Sequence, residues 1–276
     1  MKLSTIDTGF FKLDGGAMFG VVPKSIWNKL NPADENNMCN WAMRCLLIET
    51  GNRKVLIDTG IGDKQSEKFY SYYYLNGKDS LLNSLSQKGL KPDDITDVIL
   101  THLHFDHVGG AVSKDMDGKL VPTFKNAIYH VAKAHWDHAC SPNAREKASF
   151  LGENFLPLQE NGVLRFAKKD EELVPGVWAH TVGGHTVEMI CPKIETENGI
   201  LLYAADLFPS SAHIPVNYVM GYDIEPLVTM RERQRTNEMA VAENWKYFLE
   251  HDHQFETCRV SKDERGRFKT MELNSL

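Results

Sequence analysis

The spacing of apolar residues changes period several times along the chain, and each change predicts a different element. In "AMRCLLIETGNRKVLIDTG" two β-prone runs, Ala42 to Glu49 and Lys54 to Asp58, flank the turn "TGNR" and predict a hairpin. Leu81, Leu82, Leu85 and Leu90 then recur at helical spacing, with Gly89 as the stop. After a turn at Pro92 to Asp94, a buried strand from Val98 to Thr101 runs directly into "HLHFDH". A further strand is expected over Ala127 to Lys133, followed by helix and irregular connection in "AHWDHACSPNAREKASFLGENFLP". The second half offers strands in "GVWAHTVGG", "TVEMICPKI" and "GILLYAADLF", joined by glycine and proline. From Leu227 to Glu250 the pattern reads as one long amphipathic helix, with Met239, Ala242, Trp245 and Phe248 or Leu249 on one face. The tail "DERGRFKTMEL" predicts a closing hairpin. This mixture of hairpins and helices argues for an α/β fold in which two mixed sheets lie between helices, and against a purely parallel doubly wound sheet.

Composition narrows the picture. At 276 residues and 42% hydrophobic, the chain can hide roughly three quarters of its unfolded surface. A net charge of −6, with "RERQRTNE" as the one notable basic run, disfavours a nucleic-acid partner, because phosphate binding needs a concentrated basic surface. The five cysteines are odd in number, widely spaced and free of a C-x-x-C pair, so they read as reduced thiols of a cytoplasmic protein. No signal-like opening and no run of 18 apolar residues occurs, so no membrane partner is expected.

The chemistry concentrates in "THLHFDHVGG". Alternate strand residues share a side, so His102 and His104 can point together, while Asp106 and His107 lie where the strand should end. Gly109 and Gly110 permit a tight departure into a following helix. A lone histidine at a strand end is ordinarily a hydrogen-bonded surface group, but this density behind an apolar strand points to metal binding. Adjacent side chains diverge, so two metals sharing the turn suit it better than one. Three later residues could complete the set: His185 in "TVGGHTVEM", Asp206 closing "ILLYAAD", and His251 in "EHDH". Taken singly they read as a turn histidine, a helix N-cap and a surface histidine; beside the cluster they make a two-metal inventory. Cys191, in an apolar strand, reads as a small buried hydrophobe and not as a nucleophile.

With these residues in place the chain resembles the metallo-β-lactamase superfamily. Its H-x-H-x-D-H signature is matched by His102, His104, Asp106 and His107. Its later elements are matched by "GGH" at His185, "YAADLF" at Asp206, "EHD" at His251 and "VLIDTG" with Asp58. The resemblance implies a four-layer αβ/βα sandwich with two mixed β-sheets. It covers about residues 42 to 255, and a single domain over residues 1–276 is expected, with 1–40 as an N-terminal strand and a loop extension serving a pocket or a dimer contact. Carried over, His102, His104 and His185 would hold one divalent ion and Asp106, His107 and His251 the other. Asp206 would bridge them, and Asp58 would support the site from behind. His253 competes with His251 for the last place.

The ligand set, imidazole and carboxylate without thiolate, implies Zn2+ foremost, with Mn2+, Fe2+ or Co2+ as alternatives. The resemblance implies hydrolysis of an ester or lactone by a metal-bridging hydroxide, with Asp106 orienting the nucleophile. "LDGGAMFGVVPKSIW" and "AHIPVNYVMGYDIEP" look like the branch of quorum-quenching lactonases and methyl parathion hydrolase relatives. That branch often has a tyrosine three residues after the bridging aspartate, where this chain has Pro209. Phe19, Trp27, His213, Tyr218 and Tyr222 are the candidates for a pocket that would take a small molecule with an apolar moiety, acyl-homoserine lactones being the pattern. The aromatic run "KFYSYYYL" is a candidate lid or a packing cluster. Competing functions are a phosphotriesterase or phosphodiesterase, a di-iron redox enzyme lacking its flavin partner, and a metal-binding structural protein.

Overall fold

The computed structural model describes residues 1–276. Strands Lys2–Asp14, Met38–Thr50, Arg53–Ile57, Asp97–Ile99, Ile128–Ala132 and Leu164–Ala167 form one sheet in which each lies beside its sequence neighbour. The first two pairings are antiparallel and the rest parallel. The second sheet runs in chain order through Glu172–Val174, Val177–Val182, Met189–Thr196, Gly199–Tyr203, Lys246–Phe248, Thr257–Lys262 and Phe268–Asn274. Only Gly199–Tyr203 and Lys246–Phe248 pair in parallel there, because the helix Pro226–Glu243 carries the chain between them. Both sheets are mixed, and helices cover their outer faces, giving the αβ/βα sandwich.

Alternation along the strands builds the layers. Leu46, Ile48, Val55, Ile57 and Ile99 face the second sheet and join its Ile190, Leu202, Tyr203 and Phe248 in the main core. Their immediate neighbours Cys45, Leu47, Leu56 and Val98 point the other way, to Leu85, Trp136 and Leu158 of the covering helices. Tyr203 spans the two sheets, its hydroxyl donating to Arg44 O at 2.8 Å. Cys191 is fully buried, as its apolar setting implied.

Two local expectations need correction. The long helix ends at Glu243, capped by Asn244 in the left-handed region, and Trp245, Phe248 and Leu249 belong to the strand that follows and its flanks. Its buried face consists of Thr229, Arg233, Thr236, Asn237 and Ala240, so the inward side is largely polar, and an apolar count cannot find it. The turn after the histidine cluster also differs. The helical turn is Phe105–Val108, which contains Asp106 and His107, and Gly109 and Gly110 come after it instead of before a helix.

Candidate metal centre

Each donor stands at the end of a strand or in the turn beyond it. Past Asp97–Ile99 the chain places His104 in extended backbone, and the turn Phe105–Val108 brings Asp106 and His107 round to the same side. His185 follows Gly184, whose φ of 108° and closeness to Thr229 leave no room for a side chain. Asp206 sits in the turn Ala205–Leu207, and Ala205 has φ 43°; Asp58 has φ 58°. Non-glycine residues in that region hold a costly conformation that their surroundings impose, here on both sides of one cluster.

The seven predicted donors converge. Donor atoms of His102, His104 and His185 lie within 4.8 Å of one another, as do those of Asp106, His107 and His251 and those of His102, His107 and Asp206. Asp206 reaches both groups, at 3.1 Å from His185 Nε2 and 3.2 Å from His251 Nε2. All seven are buried. His251 lies inside the cluster, whereas His253 is half-buried outside it.

The outer edge of each imidazole faces a polar group, and all but that of His104 are hydrogen-bonded. His107 Nδ1 is 3.1 Å from Asp58 Oδ2, His185 Nδ1 3.0 Å from Asp223 Oδ1, and His251 Nδ1 2.7 Å from Ala42 O. His104 Nε2 faces Glu146 Oε1 at 3.4 Å. The Thr101 hydroxyl donates to Asp58 Oδ2, leaving its oxygen to accept from His102 Nδ1 at 3.0 Å. These partners fix the tautomers, so the nitrogens on the inner side carry lone pairs. Two such pairs face each other at 3.2 Å, His185 Nε2 to His104 Nδ1 and His251 Nε2 to His107 Nε2. His102 Nε2 and Asp206 Oδ1 have no hydrogen-bond partner at all. Facing lone pairs repel, and a cation between them removes the repulsion.

Proton affinities express the same demand for positive charge. Burial pushes His107, His185 and His251 down, but facing carboxylates outweigh it and raise all three, His251 to about 9. Burial also pushes Asp206 up, yet the surrounding imidazoles hold it well below the carboxylate range. His102 goes down, through burial and then neighbouring imidazoles.

A cavity of about 420 Å³ opens over the cluster, with His104, Asp106, His185, Asp206 and His251 in its floor. Its walls include Leu13, Met18, Tyr73, Phe105, Met220 and Tyr222. Of the five aromatic and histidine candidates for the pocket, only Tyr222 lines it. Phe19 lies beneath, stacked on Trp27 at 5.4 Å and on His213 at 4.7 Å, and all three are buried. Tyr218 packs beside that stack and lends its carbonyl to Arg233. In the aromatic run, Phe69, Tyr70 and Tyr73 pack with Phe105, while Tyr72 and Tyr74 are exposed, so it serves packing and one wall.

His213 has a structural role that pH reveals. Its Nε2 donates to Met18 O and its Nδ1 accepts from Ser210, which requires the neutral ring, and burial and then Arg233 push it down to about 4. The unfolded ring titrates near the ordinary imidazole value of 6.5, so its stabilising contribution is complete above 6.5 and is lost as pH falls through about 4. The loss over that window is about 3 kcal/mol. Urea unfolding of wild type and His213→Phe between pH 7 and pH 4 checks this: the variant is expected to show the shallower pH slope, and equal slopes would refute it.

Other site residues escaped the sequence reading. Glu146, in a stretch without periodicity, accepts from His138 and Asn143 as well as facing His104. Asp223 sits in an ordinary-looking "GYDIEP", and Glu250 directly precedes His251. Arg233 is fully buried and donates to Leu207 O at 2.7 Å and Tyr218 O at 2.6 Å, pinning the segment after Asp206.

Residues 44–251 match the Metallo-beta-lactamase superfamily, and the chain belongs to that superfamily. Among curated proteins it is 26% identical over 249 residues to an N-acyl homoserine lactonase of Bacillus cereus, covering 86% of this chain and 90% of that one. It is 25% identical over 244 residues to the N-acyl homoserine lactonase AiiB of Agrobacterium fabrum, covering 80% and 85%. Among solved structures, a probable metal-dependent hydrolase from Staphylococcus aureus superposes with a TM-score of 0.88 at 31% identity, covering 98% of this chain and 97% of that one. The dizinc quorum-quenching lactonase AidC gives a TM-score of 0.81 at 20% identity over 99% and 95%, a likeness of fold.

Proposed function

We propose that this chain is a dinuclear metal-dependent hydrolase that opens lactones or cleaves esters, with N-acyl homoserine lactones as the leading substrate class. The observation that carries the reading is the paired donor set, with inward lone pairs facing at 3.2 Å and Asp206 between them, under an apolar-walled cavity. His102, His104 and His185 would hold one ion and Asp106, His107 and His251 the other; nitrogen and oxygen donors without sulfur favour zinc. Bound there, two divalent ions supply Lewis acidity, generating a nucleophile from water at neutral pH and polarising the attacked carbonyl.

The chain's own groups do the rest. The Asp106 carboxylate in the cavity floor accepts a hydrogen bond from the attacking water and so aims it. Leu13, Met18, Phe105 and Met220 exclude bulk water and take an acyl moiety. Tyr73 and Tyr222 in the cavity wall are phenols, protonated at neutral pH, and so are available as donors for a substrate oxygen. The lactonase names of the Bacillus and Agrobacterium relatives support the substrate class. Zinc-loaded protein offered acyl-homoserine lactones, simple lactones, aryl esters, phosphotriesters and β-lactams is expected to turn over the first group fastest. Turnover of none of them would sink the reading.

A further inference from the structure

We propose that His135 is a positioning residue for one of the two metal sites, a rigid strut that sets the distance between the loop carrying His102 and His104 and the loop carrying His185. The inference rests on the metal-hydrolase reading above. His135 is fully buried in the first turn of the helix Lys133–Cys140 and is not one of the converging donors. Its Nε2 accepts from Leu103 N at 2.8 Å, and its Nδ1 donates to Val187 O at 2.7 Å. A backbone N–H can only donate and a carbonyl can only accept, so one tautomer, with the proton on Nδ1, makes both bonds.

Both bonds fall on backbone that carries ligands. Leu103 separates His102 from His104, and Val187 stands two residues beyond His185. Leu103 is fully buried, and among residues 102 to 104 its N–H is the one that finds a partner. Freed from the ring, that amide would have no water to turn to. The first loop leaves the strand Asp97–Ile99 of one sheet and the second leaves Val177–Val182 of the other, so the imidazole ties the two sheets at their open end. Phe150 packs on both His135 and His104, with ring centroids at 5.7 Å and 4.8 Å, and keeps the strut seated beside the ligand. The reach of the strut is one-sided. Asp106 and His107 come from the turn Phe105–Val108 and His251 from beyond Lys246–Phe248, and His135 makes no hydrogen bond to either segment. Ligands drawn from two loops bind an ion best when their spacing is set beforehand, and here one group of three is set in this way.

The test reads zinc affinity by competition with a chromophoric chelator. His135→Phe keeps a ring in the space and removes both bonds; it is expected to weaken one ion about 10- to 100-fold and to leave the other unchanged. The melting temperature of the chelator-stripped variant is expected to fall by about 4 °C or more, since a buried N–H and a buried carbonyl lose their partners. His135→Asn keeps a donor near the place of Nδ1, and His135→Gln keeps an acceptor near the place of Nε2, so each retains one tie. Both are expected to weaken the same ion as His135→Phe, because a strut released at either end no longer sets a distance, and either stands in if the phenylalanine variant does not fold. In stripped wild-type protein the Leu103 amide is expected to resist hydrogen exchange, a measurement that needs no variant. Rapid exchange there overturns the strut. Equal weakening of both ions, or lost stability with both affinities unchanged, also overturns it while leaving the hydrolase reading intact. Wild-type protein that takes up no metal overturns both.

Discussion

Asp206→Asn is expected to reduce bound metal below two ions per chain and to cut turnover of any accepted lactone or ester by about a thousandfold. The residue stands 3.1 Å from His185 and 3.2 Å from His251, so one carboxylate serves both donor groups. An amide keeps the shape but loses the charge that the surrounding imidazoles stabilise. Forfeiting about 4 kcal/mol of transition-state stabilisation corresponds to that factor. Elemental analysis beside steady-state kinetics checks both parts, with circular dichroism to show the fold is retained. Two ions and undiminished turnover in the variant would falsify the bridging assignment.

Gly109→Ala is expected to destabilise the protein by about 3 kcal/mol, the cost of overpacking a site that cannot relax. The residue has helical torsions, φ −57° and ψ −38°, so the penalty is not conformational. A Cβ there would lie 2.0 Å from Ile61 O and 2.3 Å from Ile61 C, and both atoms are backbone. Relief requires moving the loop at Ile61 or the turn Phe105–Val108, and that turn carries Asp106 and His107. Metal uptake should therefore weaken along with stability. Gly118→Ala is the comparison: its φ is +77° but nothing lies within 4 Å of the added carbon, and about 1 kcal/mol is expected. Denaturant melts that ranked Gly118→Ala as the more damaging change would contradict this account.

The sequence made legible what local rules control. The hairpin around "TGNR" follows from alternation and turn chemistry, and it appears as Met38–Thr50 paired with Arg53–Ile57. The seven donors followed from residue type at strand ends, and the fold brings them together as the motif implied. What failed depended on tertiary surroundings. Phe19 and Trp27 are pocket candidates by their size, yet the two short helices that carry them fold back and stack them under the wall. The helix Pro226–Glu243 buries Arg233 and Asn237 because carbonyls and a tyrosine hydroxyl await them, as Ile214 O and Tyr247 Oη do for Asn237, both at 3.0 Å. Glu146 and Asp223 carry no local signal, since each is defined by a histidine 42 or 38 residues away in the chain.

The order of the donors along the chain has a mechanical consequence. Those from residues 102 to 107 hang from the first sheet, whereas those at 185, 206 and 251 hang from the second. A pair of ions gripped by both would act as a rivet through the open end of the sandwich, closing loops far longer than any hairpin in the fold. Separation of the two sheets at that end would then require release of the ions first, so amide hydrogen exchange along the strand ends should report metal occupancy far from any substrate.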